Sequence, residues 1–142
     1  MSEKTNQTTS SKNVYTEIQE WDDPALDLRP NILRGIYAFG FEKPSPIQKK
    51  GLIPLIQPGC EGKRRDIIAQ AQSGTGKTAC FGVGSLQIID PEKNYTQVLI
   101  LAPTHELASQ IKGVITAIGR YDKIFVLKFS MQLGEEPIKK LN

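Results

Sequence analysis

The chain has 142 residues, of which 39% are hydrophobic and 23% are charged, and its formal net charge is +3 at pH 7. This length allows one modest domain or a part of a larger one, and the composition is ordinary for a soluble globular protein. No apolar run approaches the roughly 20 residues that a membrane-spanning helix needs, so we expect no membrane association. The small positive charge is compatible with a nucleic-acid partner but does not require one.

Two cysteines, Cys60 and Cys80, have neither metal-site nor redox-motif spacing, which indicates reduced thiols. The N-terminal stretch is polar, rich in Ser, Thr and Asn, and lacks the apolar core of a signal peptide. We therefore interpret residues 1–20 as a disordered polar leader. A cytoplasmic location is expected, with a nuclear location as the alternative.

Residues 21–58 are predicted to form a helical segment. Its first helix has Pro30 near the start and Gly40 at the end. Apolar side chains recur on one face of this helix, as expected for packing against a core. They belong to Ile32, Leu33, Ile36 and Tyr37.

A second helix is predicted to begin at Pro46. Ser45 with Gln48 three residues later is a capping-box pattern, and Pro46 occupies the first helical position. The helix should run toward Ile56, although Pro54 is expected to bend it or end it early.

A glycine-rich loop follows between an apolar run of strand length at 66–70 and an apolar, charge-free segment of helix length at 79–89. Its glycines allow the backbone to turn its N–H groups inward, and the helix behind it presents further N–H groups. Lys77 would reach the β- and γ-phosphates of a nucleotide, and Thr78 would ligate Mg²⁺. The predicted phosphate loop consists of Ala71, Gln72, Ser73, Gly74, Thr75, Gly76, Lys77 and Thr78.

Two further strands are predicted at 97–101 and 123–129, and a helix begins after Pro103-Thr104 and stops at Gly119. Alternating strands and helices of these lengths indicate right-handed parallel units, hence an α/β domain that occupies 59–142. Ligands of such sheets bind at the carboxyl ends of the strands. We therefore expect the phosphate loop and the residues after the second strand to share one functional edge.

Three motifs in order resemble those of the DEAD-box RNA helicases. Gly40 to Gln48 resembles the Q motif, Ala71 to Thr78 resembles motif I, and Pro103 to Ala108 resembles motif Ia. The resemblance covers about residues 21–129 and is greatest to the eukaryotic translation initiation factor 4A group. It implies ATP-dependent local unwinding of RNA by the complete protein, and a partial RecA-like first helicase lobe in this chain.

The resemblance also implies roles for aromatic and amide side chains in nucleotide binding. Gln48 would hydrogen-bond the adenine edge, Phe41 would stack near the base, and Trp21 occupies the place of an upstream aromatic residue. The alternatives are that Gln48 serves only as the capping partner of Ser45 and that Phe41 belongs to the core. The implied cofactors are ATP and Mg²⁺.

Motif Ia belongs to the RNA-binding face of the family, which implies backbone contacts to RNA from Pro103, Thr104, His105 and Glu106. His105 replaces an arginine of the family, and a mostly neutral imidazole cannot make a bidentate phosphate contact. Ser130 and Met131 replace a glycine pair that touches RNA. The basic cluster Lys63-Arg64-Arg65 is either a solvated loop, which we favour, or an RNA-facing insert. A scaffold protein of the translation or splicing machinery is a further implied partner.

No Asp-Glu-Ala-Asp motif, Ser-Ala-Thr motif or second lobe occurs in these 142 residues. Phosphoryl transfer to water needs a second carboxylate for Mg²⁺ and arginine stabilisation of charge, so this chain alone should hydrolyse ATP poorly. The main hypothesis is therefore the ATP-binding N-terminal portion of a helicase. The alternatives are a non-catalytic ATP- or partner-binding module and, less favoured, a small P-loop kinase or GTPase.

Overall fold

The computed structural model describes residues 17–59 and 62–129. Four α-helices occupy much of this part of the chain, and a short 3₁₀ helix follows the last of them. They are α1 (Pro30–Ala38), α2 (Pro46–Ile56), α3 (Lys77–Ile88), α4 (His105–Ile118) and the 3₁₀ helix Gly119–Tyr121. The four helices are those that the sequence predicts.

Helices α2 and α3 pack closely and run in the same direction. A Cβ added at Gly51 would lie 3.1 Å from the Cys80 sulfur, and a Cβ added at Gly84 would lie 2.2 Å from Leu55 Cδ2. A step of four residues along α2 therefore matches a step of four residues along α3. The glycines allow the two backbones to approach, because any larger side chain would have to displace its neighbour.

Helix α4 also runs parallel to α3. A Cβ at Gly82 would lie 3.2 Å from Ile115 Cγ1, and a Cβ at Gly119 would lie 2.9 Å from Leu86 Cδ2. A step of four residues from Gly82 to Leu86 along α3 therefore matches a step of four residues from Ile115 to Gly119 at the end of α4. The N-termini of α2, α3 and α4 consequently lie at the same end of the molecule, which agrees with the single functional edge that the sequence predicts.

The core lies between these helices and the chain that precedes α1. Trp21 and Leu26 have exposures of 0% and 1%, and the Ile18 N–H donates to the Lys49 carbonyl across 3.3 Å. Among the described residues, the packed part of the chain thus includes Ile18. Buried side chains of all four helices complete the core: Ile32, Ile36, Leu52, Ile53, Cys80, Val83, Leu86, Ile111, Ile115 and Ile118.

Polar contacts fasten the segment before α1 to the far end of α3. The Arg29 guanidinium donates to the Leu86 carbonyl and pairs with Asp122 at 3.1 Å, and the Arg29 N–H donates to Gln87 Oε1 across 3.0 Å. The Asn31 amide donates to the other oxygen of Asp122 across 3.0 Å. These bonds hold α3 at the end opposite to the phosphate loop.

No strand is formed within residues 17–59 and 62–129, so the structure does not show the three predicted strands or their sheet. The segment predicted as a buried strand at 97–101 exposes 79% of Leu99 and 84% of Leu101, while its neighbours Ile100 and Ala102 pack on the helices. Side-chain alternation is therefore present without paired strands. A strand requires a neighbour to which its backbone N–H and C=O groups bond, and alternation alone does not supply one.

Pro54 does not end α2, which continues to Ile56 with the proline inside it. Cys60 and the replacement of the glycine pair by Ser130 and Met131 lie outside the described residues, as does the leader up to residue 16. Among the described residues, no helix combines the length and apolarity that crossing a membrane requires.

Candidate functional site

The predicted phosphate loop ends at the N-terminus of α3. Gly74 and Gly76 have φ angles of +77° and +94°, a region that favours glycine, and Gly76 is the N-cap of the helix. Lys77 and Thr78 are the first two residues of α3. The backbone N–H groups of this first turn have no partner within the helix and are oriented for an anion.

Lys77 holds the loop in a curved conformation. Its ammonium donates to the carbonyls of Ala71 and Gln72 across 2.6 and 2.5 Å, and the Thr75 hydroxyl donates to the Gln72 carbonyl across 2.7 Å. The ammonium is therefore located inside the turn of the loop. A cation at this position is within reach of any phosphate that the loop surrounds.

Gln48 joins the start of α2 to the phosphate loop. Its Oε1 accepts from the Ser45 N–H across 2.7 Å, which is the bond expected of a capping box, and its Nε2 donates to the Gly76 carbonyl across 3.1 Å. Gln48 is 3% exposed. Gln48 therefore makes its half of the capping box, and its amide also braces the loop. The sequence does not reveal this second contact, because Gly76 lies 28 residues farther along the chain.

The Gln48 contact leaves very little space at Gly76. A Cβ there would lie 2.6 Å from Gln48 Nε2 and 3.0 Å from the Ser45 hydroxyl. That hydroxyl is buried and has no hydrogen-bond partner among the described residues. Glycine is thus required at this position both by its backbone angle and by the side chains that surround it.

Phe41 lies in an aromatic cluster at the end of α1. Its ring is 6.4 Å from that of Trp21 with an interplanar angle of 26°, and 4.8 Å from the tilted ring of Phe39. Trp21 is fully buried, whereas Phe41 is half-buried and Phe39 is 39% exposed. The structure supports the core role of Phe41 that the sequence left open, and it leaves part of the ring accessible. Trp21, by contrast, has no exposed surface for a base.

Cys80 lies one turn into α3, behind the loop. Burial raises the pKa of its thiol to about 11, so the thiol stays protonated at neutral pH and is a poor nucleophile. Its side chain packs against α2 at Gly51. The cysteine is therefore a packing residue, consistent with the reduced thiol that the sequence indicates.

The predicted RNA-binding residues surround the start of α4. The Thr104 hydroxyl accepts from the Leu107 N–H across 3.2 Å and caps the helix, and His105 and Glu106 begin its first turn. Pro103, Thr104, His105 and Glu106 are all exposed. The Thr104 hydroxyl is therefore engaged with the helix itself.

A cation that the motif does not contain also lies at this edge. The Lys128 ammonium donates to the Ser109 hydroxyl across 3.1 Å, and that hydroxyl donates to the His105 carbonyl across 2.9 Å. Lys128 belongs to an extended segment 19 residues farther along the chain than Ser109. Only the folded chain places this charge beside α4, so no local sequence signal could have identified it.

The basic cluster in the loop after α2 has a structural contact. Arg64 donates from Nη1 to the Ile56 carbonyl across 3.1 Å and so caps the end of α2. This end is opposite to the N-termini that carry the phosphate loop and motif Ia. The structure therefore unites Gln48 with the phosphate loop, sets motif Ia at the same end of the molecule, and separates the basic cluster from both.

Comparisons with known proteins agree with the motifs. The family model "DEAD/DEAH box helicase" matches residues 45–141. A protein of Aspergillus fumigatus named ATP-dependent RNA helicase eIF4A is 53% identical over 110 residues, which are 78% of this chain and 25% of that protein. A protein of the same name from Candida albicans is 54% identical over 114 residues, or 80% and 27% of the two chains. The chain thus spans about a quarter of the length of the curated relatives it matches.

Solved structures of the same kind superpose on the chain. A variant of S. cerevisiae Dbp5 bound to a Gle1 variant and IP6 has a TM-score of 0.72 at 37% identity, covering 86% of this chain and 31% of its own. S. cerevisiae Dbp5 bound to RNA and ADP BeF3 has a TM-score of 0.66 at 44% identity, covering 71% and 25%. These neighbours imply the RecA-like fold, although its sheet is not formed in the described part of the chain. The motif order, the family match and the structural likeness together show that this chain belongs to the DEAD/DEAH box helicase family.

Proposed function

We propose that the chain is the ATP-binding portion of a DEAD-box RNA helicase. The observation that carries this proposal is the junction of α2 and α3, where Lys77 lies inside a glycine-turned loop and Gln48 braces the same loop. Relatives at 53–54% identity are named ATP-dependent RNA helicases, and they are about four times as long as the matched part. ATP-dependent unwinding of RNA is accordingly proposed for the complete protein.

The residues present fit a nucleoside triphosphate with its metal. The loop from Ala71 to Gly76 surrounds the phosphates, Lys77 contributes a positive charge, and the N-terminus of α3 contributes backbone N–H groups. Thr78, on the first turn of α3, is the proposed protein ligand of Mg²⁺. A Mg²⁺ ion bound there would supply positive charge that neutralises the phosphates. Lys77 and Thr78 position the phosphates from the protein side.

Adenine recognition is proposed for Gln48 together with Phe41. Both heavy atoms of the Gln48 amide already bond to the protein, but an amide has a second N–H and a second lone pair. One residue can therefore brace the loop and contact a base edge. Phe41 keeps part of its ring accessible, which suits a contact with the base plane.

RNA binding is proposed for the α4 edge formed by Pro103, Thr104, His105 and Glu106. These residues are exposed at the same end of the molecule as the phosphate loop. Backbone N–H groups at a helix start bind phosphate without reading bases, which suits an enzyme that acts on RNA of any sequence. A cytoplasmic location and a scaffold partner in translation or splicing are part of the same proposal, with a nuclear location as the alternative.

A second candidate function is a non-catalytic ATP- or partner-binding module. Exposed apolar side chains such as Leu99, Leu101 and Phe125 favour it, because a surface of this kind invites a protein partner. Both candidates require the same nucleotide site. They differ in hydrolysis, which needs a second carboxylate and arginine residues that the described residues do not bring to the loop.

The experiment that tests the nucleotide site is the substitution Lys77→Ala. We expect binding of a fluorescent ATP analogue with Mg²⁺ to fall by at least 10-fold, because the charge inside the loop is lost. Lys112→Ala is the matched control, since Lys112 is an exposed lysine of α4. Unchanged affinity of the Lys77 variant would remove the nucleotide assignment.

A further inference from the structure

The 3₁₀ helix after α4 places one aromatic ring beside two arginines. The guanidinium carbon of Arg34, from α1, lies 4.1 Å from the centroid of the Tyr121 ring, and that of Arg120 lies 5.2 Å from the same centroid. Both distances are within the range of a cation–π contact. The two guanidinium groups cannot be farther apart than the sum of these distances. One ring therefore holds two like charges close together.

The protein does not neutralise either of these arginines among the described residues. Both side chains are exposed, and their contact is with the ring of Tyr121, without a hydrogen bond or an ion pair. The adjacent carboxylate of Asp122 is not available to them, because its side chain is only 7% exposed and is held by Arg29 and Asn31. Two like charges repel, so the fold itself gains little from placing them together. Both guanidinium groups are open to an external anion.

The surroundings of the pair have the composition of a protein interface. Tyr37, three residues after Arg34 on α1, is 47% exposed, and Lys123 is exposed directly after the 3₁₀ helix. Arginine and tyrosine are enriched in protein–protein interfaces and among the residues that contribute most of their binding energy. A guanidinium that stacks on a ring is also preorganised, and its planar fork can bind a carboxylate through two parallel N–H groups.

The position of this surface separates it from the proposed nucleotide and RNA sites. The 3₁₀ helix follows the C-terminus of α4, and Arg29 fastens it to the last turn of α3 by binding both Asp122 and the Leu86 carbonyl. The phosphate loop and motif Ia lie at the N-termini of these two helices. Because α4 has 14 residues, its two ends are about 21 Å apart. A phosphate bound at motif Ia is therefore out of reach of the arginine pair, which favours a protein as the source of the anion.

We propose that Arg34, Arg120 and Tyr121 form a docking surface for an acidic segment of a partner protein, whose carboxylates bind the two guanidinium groups. In an extended segment, the side chains of every second residue point to the same side and lie about 7 Å apart. Two neighbouring guanidinium groups on one ring suit such a spacing. The inference goes beyond the proposed nucleotide and RNA sites and does not depend on either.

The test is a titration of the isotope-labelled full chain with an acidic peptide, followed by NMR. The probe is a peptide of five Glu-Ser repeats, and a peptide of five Gln-Ser repeats is the uncharged control. We expect the side-chain N–H signals of Arg34 and Arg120 to shift along one saturation curve with the acidic peptide. Arg64 provides the internal control, since it is an exposed arginine in the loop after α2 and should not shift.

Substitutions then separate a preorganised pair from charge alone. We expect Arg34→Gln and Arg120→Gln each to weaken binding of the acidic peptide roughly 2- to 5-fold, as expected for the loss of one exposed charge pair. Arg64→Gln removes the same charge elsewhere and should leave the affinity unchanged. Tyr121→Leu keeps the net charge but removes the ring, so it should also weaken binding, whereas Tyr121→Phe should retain it. Thermal unfolding shows whether each variant remains folded.

Several outcomes would overturn the inference. Absent shifts at Arg34 and Arg120, or equal shifts at Arg64, would show that acidic peptides have no specific site here. Shifts of the two signals with ten-nucleotide oligouridylate but not with the acidic peptide would assign the surface to RNA. Shifts that depend on protein concentration without any peptide would assign it to a second copy of the chain. None of these results bears on the nucleotide site, which Lys77→Ala tests separately.

Discussion

The junction of α2 and α3 and the extended segments at 97–102 and 123–129 contain similarly apolar residues, yet they are packed very differently. At the junction, Gly51 and Gly84 bring two helices into close contact, and the Gln48 amide bonds to both sides. In the extended segments one face packs on the helices, while Leu99 and Phe125 on the other face are 79% and 91% exposed.

The difference follows from where each element finds its backbone partners. A helix satisfies its own N–H and C=O groups, so α2 and α3 need from one another only complementary side-chain packing. An extended segment must bond to a neighbouring strand and has two faces to cover. Within the described residues, the helices are therefore complete units, whereas the extended segments retain unpaired backbone and an uncovered apolar face.

The largest expected effect comes from breaking the close packing of the helices. In Gly35→Ala the new Cβ would lie 1.8 Å from the Ile118 carbonyl oxygen, which is backbone and cannot rotate away. We expect the free energy of unfolding to fall by about 3 kcal/mol or more. Chemical denaturation of the full chain measures this loss.

The matched control is Gly113→Ala on α4, where an added Cβ would meet nothing within 4 Å. Because alanine favours a helix over glycine, we expect stability to rise by about 0.5–1 kcal/mol. The effect of a Gly→Ala substitution on stability thus changes sign between the packed position Gly35 and the open position Gly113. Equal effects at the two glycines would contradict the packing of α1 against the end of α4.

The second prediction concerns the brace between α2 and the phosphate loop. Gln48→Ala removes two hydrogen bonds and leaves the Ser45 N–H and the Gly76 carbonyl without this partner, so we expect a loss of about 2 kcal/mol even without nucleotide. Gln48→Glu keeps the acceptor for Ser45 but loses the donor to Gly76. If Gln48→Glu loses much less stability than Gln48→Ala, the bond to the Ser45 N–H contributes most of the effect. If the two variants lose similar amounts, the bond to the Gly76 carbonyl contributes most of it.

Thermal unfolding with and without ATP, together with the ratio of ATP to GTP affinity, distinguishes the two roles of Gln48. A stability loss accompanied by a lower ATP preference would support the brace and the adenine contact together. A stability loss with an unchanged ratio would restrict Gln48 to the brace. An unchanged melting temperature in the absence of nucleotide would show that the brace contributes nothing.

Much of this architecture is predictable because its signals are local. The capping pair Ser45 and Gln48, the stripe of apolar residues along α4 and the Gly76-Lys77 step all lie within a few residues of the structure they determine. Contacts between distant segments are not predictable in this way. Neither the bond from Gln48 to Gly76 nor that from Lys128 to Ser109 has a sequence signature, because the fold alone brings those residues together.

The extended segment at 97–101 shows how far a local pattern reaches. Residues 98–101 are all apolar, so the sequence predicts a buried strand and offers no alternation from which its register could be read. In the structure Ile100 packs against the core, whereas Leu99 and Leu101 are exposed. Neither this register nor the presence of a neighbouring strand was predictable from the segment itself, because both depend on residues elsewhere in the chain.

The smallest expected effect tests that register with two adjacent residues. Ile100→Thr removes apolar surface from a half-buried position, so we expect stability to fall by about 1 kcal/mol. Leu99→Thr changes a side chain that is 79% exposed, and we expect its effect on stability to lie within about 0.5 kcal/mol. Chemical denaturation measures the difference in free energy of unfolding between the two variants. The midpoints can be compared directly when the free energy depends equally steeply on denaturant concentration in both. If Leu99→Thr lowered the stability more than Ile100→Thr, Leu99 would belong to the packed face of the segment. The exposed apolar face that distinguishes this segment from the helices would then be wrongly assigned.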